Sequence, residues 1–558
     1  MALFSFLLIT FLFVSFNHAK VTLKTSSDLA VEISNDLVKF NFKSDSTISS
    51  LHVNEEDIVH GASRSFYLDW TGSDGEFRFS PSTVEIVEQT DTRAHFYWTQ
   101  DSSRSNDALN IELHYILEDG LSGIYCYAKY FNDKSSNVSF GETRMVYRFN
   151  PNLLVIGTNQ VHTGIIPTST DINESKKVQD ATYEFPNGTY YTKYDFVVYI
   201  RETQYQGVYG QGYGAFIISP SREYHGGGPM KQDLTVHDYA LVTNYFLSGH
   251  FGASSFIAPP GWIHFYGPFL LHLPTGKSDN EIIASVENQV KAEQEKWPYK
   301  FVSDDEYPLE RGSVKGTVTG QKSATITLFQ STINEVFDIQ QMGYLYTTNT
   351  DASGNYIIDK VRPGSYKIYA YPIAGLASEN LVENVVQVTA NSVQTVDFNL
   401  PELENIVWSL GQANRRANEF RLADQPRNYK WQLDVPTELN FTIGKSDPKV
   451  DWYYSQSHAG TWSIHYTDKQ DGKSRILRIA IAGASKSVLA VTLNGKALDE
   501  LSLDNDASIY RSAMQSGKFH FKMYSIESSL VVNGENYIDL TVKSGAVMYD
   551  ALSLQIHD

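Results

Sequence analysis

Residues 111–115 read Ile-Glu-Leu-His-Tyr, a strict alternation of apolar and polar side chains. Successive side chains of a β-strand point to opposite faces of a sheet, so this period of two predicts a strand with one buried face. Similar short segments recur at residues 31–33 (Val-Glu-Ile) and 144–148 (Arg-Met-Val-Tyr-Arg), with Asn, Asp, Gly and Ser between them. About 250 residues of this pattern, from Val21 to Leu273, predict one large sandwich of two β-sheets.

A helix and two smaller modules follow the sandwich. Residues Asp279 to Trp297 space their apolar side chains at helical intervals and stop at Pro298, which predicts a helix at the exit of the first domain. Turn signals after a charged linker predict a small seven-stranded sandwich, and the β-rich remainder has the size and turn spacing of a jelly roll. The predicted parts are a signal peptide at 1–19 and β-domains at 20–302, 303–400 and 401–558.

Composition and charge restrict the function. The chain of 558 residues is too long for one compact core, and its aromatic content of 13% favours strands and contact with sugar rings. The formal net charge is −19, which argues against nucleic acid as the main partner. Cys126 is the one cysteine, so an internal disulfide and a zinc site built from several cysteines are both excluded.

The amino terminus predicts secretion. Residues Leu3 to Phe16 form an uncharged, largely apolar run of 14, shorter than the roughly 20 residues of a membrane span and typical of a signal-peptide core. We expect cleavage near Ala19 or Lys20, with a retained N-terminal anchor as the alternative because no Lys or Arg precedes the run. Asn-x-Ser/Thr sequons agree with an extracellular protein and predict glycosylation at Asn137, Asn173, Asn187 and Asn440.

Familiar catalytic motifs are missing from the chain. It has no G-x-S-x-G elbow, P-loop, dinucleotide fingerprint or H-E-x-x-H sequence. Polar residues concentrate instead in the second half of the first domain. The segments that carry them are Gly141 to Arg148, Tyr190 to Asp195, Gly226 to Asp233, Asn244 to His250 and Trp262 to Phe269.

These segments, in this order, resemble those of polysaccharide lyase family 4, the rhamnogalacturonan lyases. The most specific parts are Gly-Gly-Pro and Lys-Gln-Asp within 226–233, Asn-Tyr-x-x-Ser-x-His at 244–250 and Tyr-Gly-Pro-Phe at 266–269. The resemblance extends over nearly all of the chain after the signal peptide. It implies an all-β fold: a galactose mutarotase-like supersandwich, then a fibronectin III-like domain and a carbohydrate-binding-like jelly roll.

The resemblance also implies a reaction, β-elimination on rhamnogalacturonan I. The α-1,4 bond between rhamnose and galacturonate breaks and leaves a 4,5-unsaturated uronate. A base must remove the proton at C5, a cation must neutralise the adjacent carboxylate, and an acid should assist the departing oxygen at C4.

Two proton-transfer residues follow from the family motifs. Lys193 holds the position of a catalytic lysine before Tyr-Asp, and as a base it would need burial or a nearby cation to lower its pKa. His250 matches the family histidine, and an expected pKa near neutrality suits protonation of the leaving oxygen. The reverse assignment of base and acid stays open. The plain alternatives are an exposed strand lysine and a packed strand histidine.

An arginine for the uronate carboxylate is also implied, since its planar fork donates two parallel hydrogen bonds. The matching strand offers Arg144 and Arg148, which share a face because they are four residues apart. Arg144 is favoured, with Arg148 as an ion-pair partner of Glu142 or a second sugar contact. Tyr245 matches a family tyrosine that binds the sugar or orients the leaving oxygen; a core aromatic residue is the alternative.

Further substrate contacts are expected from Thr243, Asn244, Gly228 and Tyr266 in the same segments. Thr243 stands where fungal-type members have a second tyrosine, which puts one sugar contact in doubt. The glycines before Pro229 are expected to shape a turn beside the cleft.

Two other functions fit parts of the pattern. A non-catalytic pectin-binding protein could use the same cleft, and a glycoside hydrolase would need two carboxylates, for which Asp195 and Glu142 are candidates. His225, His237 and His264 lack a recognised ligand spacing, so we predict no metal site and no cofactor, although some family members bind a structural calcium. The expected partner is rhamnogalacturonan I. We expect a monomer because three linked β-domains can complete their own cores.

Overall fold

The computed structural model describes residues 21–62, 64–73, 75–251, 256–330, 336–376, 382–423, 429, 431–509, 511 and 515–557. The predicted signal peptide lies outside these ranges. Within them the secondary structure is almost entirely β, as the alternating segments predict. Among these residues no helix combines the length and the apolar character needed to cross a bilayer.

Short strands make up the first domain, and the three alternating segments of the sequence all lie in strands. The strands are β1 (Thr22–Thr25), β2 (Val31–Ser34), β3 (Val38–Phe42), β4 (Ile48–Val53), β5 (Glu56–Asp57), β6 (Tyr67–Gly72), β7 (Gly75–Arg78), β8 (Thr83–Gln89), β9 (Arg93–Gln100), β10 (Asn110–Glu118), β11 (Gly123–Phe131), β12 (Val138–Phe140), β13 (Glu142–Arg148), β14 (Ile156–Thr158), β15 (Thr163–Ile165), β16 (Lys176–Gln179), β17 (Thr182–Glu184), β18 (Tyr190–Thr192), β19 (Val197–Tyr199), β20 (Tyr205–Gly210), β21 (Tyr213–Ile218), β22 (Gln232–Leu234), β23 (Val236–His237), β24 (Leu241–Ser248), β25 (Phe256–Ala258) and β26 (Ile263–His272).

The main layer of this domain is a nine-stranded sheet in the order β15-β14-β20-β21-β26-β11-β10-β9-β8, and two five-stranded sheets, β1 to β5 in sequence and β23-β24-β13-β6-β7, cover it. Trp98 pairs with Leu113, Leu113 pairs with Ala128, and Ala128 pairs with Tyr266 on successive strands of the large sheet. Paired residues point to the same face, so Trp98 and Tyr266 lie on one face of this sheet. Phe42 of β3 packs edge-on against Trp98, and Phe246 of β24 stacks on Tyr266. Both smaller sheets therefore cover one face and form the predicted sandwich.

Helices are few among the described residues. They are α1 (Ser169–Glu174), α2 (Asp279–Lys296), α3 (Trp431–Asp434) and α4 (Pro448–Asp451), with single 3-10 turns at Ser102–Arg104, Lys193–Phe196 and Ser528–Leu530. Helix α2 confirms the predicted exit helix: Ser278 caps its start, and Ile282, Val286 and Val290 are buried. It ends one residue earlier than predicted because Trp297, which precedes Pro298, has left helical geometry.

The second domain has eight strands where seven were predicted. They are β27 (Gly312–Gly320), β28 (Ala324–Gln330), β29 (Leu345–Asn349), β30 (Asn355–Val361), β31 (Gly364–Pro372), β32 (Val382–Val388), β33 (Val393–Thr395) and β34 (Phe398–Leu400). Strands β33 and β34 both run parallel to β27 and are separated by Val396 and Asp397. The Asp397 side chain accepts the Thr317 N–H at this break, so the segment forms two short strands instead of one.

Two long strands organise the third domain. Its strands are β35 (Ile406–Gly411), β36 (Leu439–Thr442), β37 (Gly460–Asp468), β38 (Ser474–Leu493), β39 (Lys496–Ala497), β40 (Leu501–Asn505), β41 (His520–Ile526) and β42 (Gly534–His557). The first half of β38 pairs with β41 and its second half with β40, while β42 pairs with β35 near its end and with β37 near its start. Register shifts between residues 480 and 489 of β38 mark the change, so both long strands take part in two sheets of one sandwich.

Candidate active site

Three neighbouring strands of one sheet carry the three side chains at the centre of the site. Arg144 on β13 lies opposite Asp69 on β6 and Tyr245 on β24. Its Nε and Nη2 atoms donate to the two carboxylate oxygens of Asp69 at 3.0 and 3.2 Å, and Nη1 donates to the Tyr245 hydroxyl at 2.6 Å. Opposite residues of a ladder lie side by side, so the strand register brings together three side chains that are distant in sequence.

A β-bulge lies immediately before Arg144. The register between β13 and β24 shifts between Thr143, which is fully buried, and Arg144, whose side chain stays partly exposed. Bulges commonly redirect a side chain beside a functional site. Burial would lower the pKa of Arg144, but Tyr245, Asp69 and Glu142 outweigh it and raise the pKa, so the guanidinium remains charged.

Glu142 lies between Arg144 and His250 and contacts both. Its Oε1 atom is 2.9 Å from Arg144 Nη1, and its Oε2 atom is 3.5 Å from His250 Nδ1. Burial raises the pKa of Glu142 to about 7, although Arg144 opposes the shift. This carboxyl therefore changes charge close to neutral pH.

Ser248 fixes the ring of His250. The Ser248 hydroxyl donates to Asp233 Oδ1 at 2.7 Å, and its oxygen lies 2.9 Å from His250 Nδ1. The serine has one proton and donates it to Asp233, so Nδ1 must donate to Ser248. The neutral ring then keeps its lone pair on Nε2, which no described residue contacts by a hydrogen bond. The side chain is 15% exposed.

A buried ion pair supports Ser248. Lys231 Nζ lies 3.4 Å from Asp233 Oδ1 and donates to Ser248 O at 3.0 Å and to His250 O at 3.2 Å. Burial raises the pKa of Asp233 to about 6 and lowers that of Lys231. Because a buried charge without a partner is costly, this pair holds the end of β24 in place.

Lys193 lies on a 3-10 turn and not on a strand. Thr192 and Asp195 cap the turn, which supports the structural role of Asp195 rather than an acid of a hydrolase. Lys193 Nζ is 3.5 Å from Asp180 Oδ2, and the Tyr194 hydroxyl donates to the same oxygen at 2.6 Å. Burial lowers the pKa of Lys193 despite the opposing charge of Asp180. The lysine is 19% exposed, so it is not a freely solvated side chain.

The third domain contributes a cation to the site. The Arg511 guanidinium lies 5.8 Å from the centre of the Tyr194 ring, and its buried Nε has no hydrogen-bond partner among the described residues. Burial lowers the pKa of His250 well below its usual range, and a set of cations adds to the effect: Arg511, Lys231, Lys193 and Arg144. His250 is therefore uncharged at pH 7. The expectation that its pKa lies near neutrality is wrong for the protein without substrate.

The structure thus places the four predicted catalytic residues in one region. Arg144 donates a hydrogen bond to Tyr245, whose ring centre is 5.7 Å from that of His250. The charge of Lys193 is among those that lower the pKa of His250. Glu142, named beforehand only as a partner or a hydrolase candidate, lies between Arg144 and His250.

Four of the five predicted substrate contacts are buried, and the prediction of direct contact is wrong for them. Thr243 donates to the Leu234 carbonyl, and Asn244 bonds to His225 and Tyr224. Tyr266 is part of the core between the sheets. Gly228 packs against Asp338 of the second domain, so its turn forms an interdomain contact rather than the cleft wall.

Arg148, the fifth predicted contact, is partly exposed and its guanidinium lies over the Tyr67 ring. It cannot be the ion-pair partner of Glu142, because six residues of one strand place them about 20 Å apart. Glu142 pairs with Arg144 instead.

Several site residues were not predicted from the sequence. Asp69 carries no motif and reaches Arg144 only through the strand order. Asp180 and Arg511 lie outside the family segments, whereas Lys231 lies inside one and could have been noticed as a lysine two residues before an aspartate.

The histidines considered for a metal do not converge. His225 and His264 are buried and bond to Asn244 and to the Tyr224 carbonyl respectively, while burial lowers the pKa of His237 to about 3. No group of three or more metal-ligating side chains occurs in the part of the chain that the structure describes.

A large β-sandwich that brings an arginine, a lysine and a histidine into one region, followed by two further β-domains, is the arrangement of a multidomain polysaccharide lyase. Models of known families match along the chain: the rhamnogalacturonate lyase family at residues 18–186, and domains II and III of polysaccharide lyase family 4 at 310–396 and 406–554. The chain belongs to the rhamnogalacturonate lyase family of polysaccharide lyase family 4. The predicted family and fold class are thereby confirmed.

Relatives match over most of their length. The chain is 36% identical to a rhamnogalacturonate lyase of Dickeya dadantii, over 98% of this chain and 97% of that protein. It is 25% identical to a probable rhamnogalacturonate lyase B of Aspergillus niger, over 85% of this chain and 76% of that protein. Among solved structures, a galactose mutarotase-like protein from Lactobacillus casei matches 44% of this chain and 100% of its own, with 9% identity and a TM-score of 0.27.

Proposed function

We propose that this protein cleaves rhamnogalacturonan I by β-elimination at the α-1,4 bond between rhamnose and galacturonate, leaving a 4,5-unsaturated galacturonate end. The observation that carries the proposal is the gathering of Arg144, Lys193, Tyr245 and His250 in one region of a family member. A cation for the carboxylate, two proton-transfer groups and a hydroxyl for the sugar are what the reaction needs.

Arg144 is the proposed partner of the uronate carboxylate. It is already oriented by Asp69 and Glu142 and stays charged. A guanidinium held in place before substrate binds can stabilise the negative charge that develops beside C5 without reorganising.

His250 is the proposed base, and Lys193 the proposed acid or charge stabiliser. His250 is neutral, carries its proton on Nδ1 and keeps Nε2 free to accept the C5 proton. Lys193 lies beside Asp180, which favours its charged form against burial. This supports the reverse of the assignment that the family resemblance first favoured.

We also propose that the protein is secreted, glycosylated and monomeric. The apolar run at residues 3–16 supports a cleaved signal peptide. All four sequon asparagines are exposed: Asn137, Asn173, Asn187 and Asn440. Exposure is what attachment of a glycan requires.

The test of the reaction is absorbance near 235 nm, where the unsaturated uronate absorbs, with rhamnogalacturonan I as substrate and homogalacturonan as control. We expect a rise with the first polymer alone. A flat trace from folded protein that still binds pectin would replace the proposal with the non-catalytic alternative, and reducing ends without absorbance would indicate a hydrolase.

The pH profile of kcat/KM should separate the two role assignments. With His250 as base, activity requires its neutral form, so protonation of His250 lowers activity on the acid side, below a pKa well under 6.5. Asp233 and Glu142, with pKa values of about 6 and 7, also ionise in this range and should broaden the rise of activity on the acid side. With Lys193 protonated, activity falls again on the alkaline side at a pH below 10.5. A rate that instead rises through the alkaline limb would make neutral Lys193 the base.

A further inference from the structure

Where the first domain meets the second, Glu223 pairs with two arginines and lines a cavity with two others, Arg201 and Arg222. Arg311 donates to Glu223 at 2.6 and 3.2 Å, and Arg362 donates to it at 3.2 Å. Arg201 and Arg222 have no carboxylate within 4.0 Å among the described residues. The buried part of the junction therefore carries an excess of positive charge, in a chain whose formal net charge is −19.

The two unpaired arginines are held by neutral groups. Arg201 donates to the carbonyls of Gly228, Arg222 and His225, and Arg222 donates from Nε to the Thr203 carbonyl and from Nη2 to Gln206. Nη1 of Arg222 has no acceptor within the described part of the chain. Burial and the neighbouring Arg222 lower the pKa of Arg201 to about 9, which is the effect expected of a cation without a counter-charge.

Both arginines line a cavity of about 300 Å³ between the domains, and both residues are partly exposed. Thr203 lines the same cavity; it is 4% exposed, and its hydroxyl has no hydrogen-bond partner among the described residues. Serine, threonine and glutamine side chains complete much of the wall, and its size is at the lower end for small-molecule sites. Unpaired donors around a polar cavity are typical of an unfilled anion site.

We propose that this cavity binds the carboxylate of a uronate sugar, at a site separate from the proposed catalytic residues. Arg222 Nη1 and Arg201 would donate to the carboxylate, Thr203 would bond to it or to a ring hydroxyl, and the polar wall suits the remaining hydroxyls. The site would hold one galacturonate of a pectic chain or product. The choice of a uronate over another oxyanion rests on the proposed function, whereas the anion site itself does not.

The cavity shares no lining residue with the catalytic region. The lining also holds two carboxylates, but Glu223 is neutralised by Arg311 and Arg362, and Asp359 is exposed, so Arg201 and Arg222 remain the buried charges that an anion would balance.

The experiment is calorimetric titration of the full chain with galacturonate, galactose and inorganic phosphate, with crystals soaked in galacturonate to locate the ligand. We expect galacturonate at the junction and no binding of galactose there. Arg222→Gln should weaken binding at the junction by about 10- to 100-fold, and Thr203→Val by about 2- to 10-fold, the ranges for a charge-assisted and a neutral hydrogen bond. Arg421→Gln, which changes an exposed arginine of the third domain, is the matched control.

Lyase activity separates this proposal from the proposed function. Arg222→Gln should elute as folded protein and keep its elimination rate on rhamnogalacturonan I within about twofold. An inactive wild-type protein that still binds galacturonate at the junction would overturn the proposed function and support the site. Absence of ligand from the junction in soaked crystals would overturn the site, and phosphate binding as tightly as galacturonate would overturn its assignment to a uronate.

Discussion

Replacing His250 with alanine is expected to lower kcat and kcat/KM for elimination by about 10²–10⁴ while KM changes little. Positioned proton transfer contributes about that factor, and its loss affects only the transition state. Nε2 of His250 forms no hydrogen bond with any described residue, so the His250→Ala variant loses the proposed base. The measurement is the initial rate at 235 nm over a range of polymer concentrations.

The matched control for this variant is His465→Ala. His465 also lies beside a glutamate, with Nδ1 3.3 Å from Glu535, but it belongs to the third domain and should leave the rate within about twofold.

Lys193→Ala combined with His250→Ala should be scarcely slower than either single variant, since residues that act as a unit are not additive. A loss below tenfold in a folded His250→Ala protein would remove this residue from the mechanism.

Local patterns predicted most of the fold but not how its sheets meet. The alternation at residues 111–115 placed strand β10, and the spacing after Asp279 placed helix α2 to within one residue. Those signals are local, because side-chain period follows from backbone geometry. The order of strands in a sheet depends on contacts between distant segments. For that reason Asp69, which lies 75 residues before its partner Arg144, could not be predicted.

The family segments predicted four catalytic side chains that the structure places in one region, and they misjudged the neighbours of those side chains. Thr243, Asn244 and Tyr266 lie within the matching segments, yet they are buried and bond to or pack on the protein. A motif records that a position is constrained, and packing beside a site constrains a residue as strongly as contact with a ligand. Only burial distinguishes the two, and a strand covered on both faces gives no polar alternation from which burial could be inferred.

Charge balance was equally invisible in the sequence. Composition showed a net charge of −19 and gave no sign of the cations at the cleft or at the domain junction. Arg511 reaches the Tyr194 ring from the third domain, and Arg311 reaches Glu223 across the junction of the first two. Such pairs depend on how whole domains meet, and no spacing along the chain encodes them.

The largest expected loss of stability is at that junction. Glu223→Ala should lower the free energy of unfolding by about 3–5 kcal/mol, because it leaves Arg311 and Arg362 buried without their common carboxylate. Tyr346, whose hydroxyl donates to Glu223 at 2.8 Å, loses the same acceptor. Scanning calorimetry should show the transition of the first two domains shifted down by roughly 5 °C, at a little more than ~1 °C per kcal/mol for a unit of this length.

Glu202→Ala is the control that makes this result specific. Glu202 also pairs with an arginine, Arg416, but its side chain is 53% exposed, so its loss should cost at most about 1 kcal/mol.

Burial would raise the pKa of Glu223, yet Arg311 and Arg362 outweigh it and the net shift is downward. A lowered pKa means that the stabilisation is complete above pH 4.5 and is lost as pH falls through the folded value. The difference between wild type and Glu223→Ala should therefore shrink in acid. An equal shift for both variants, or a difference that persists at low pH, would show that the ion pairs at Glu223 do not hold the two domains together.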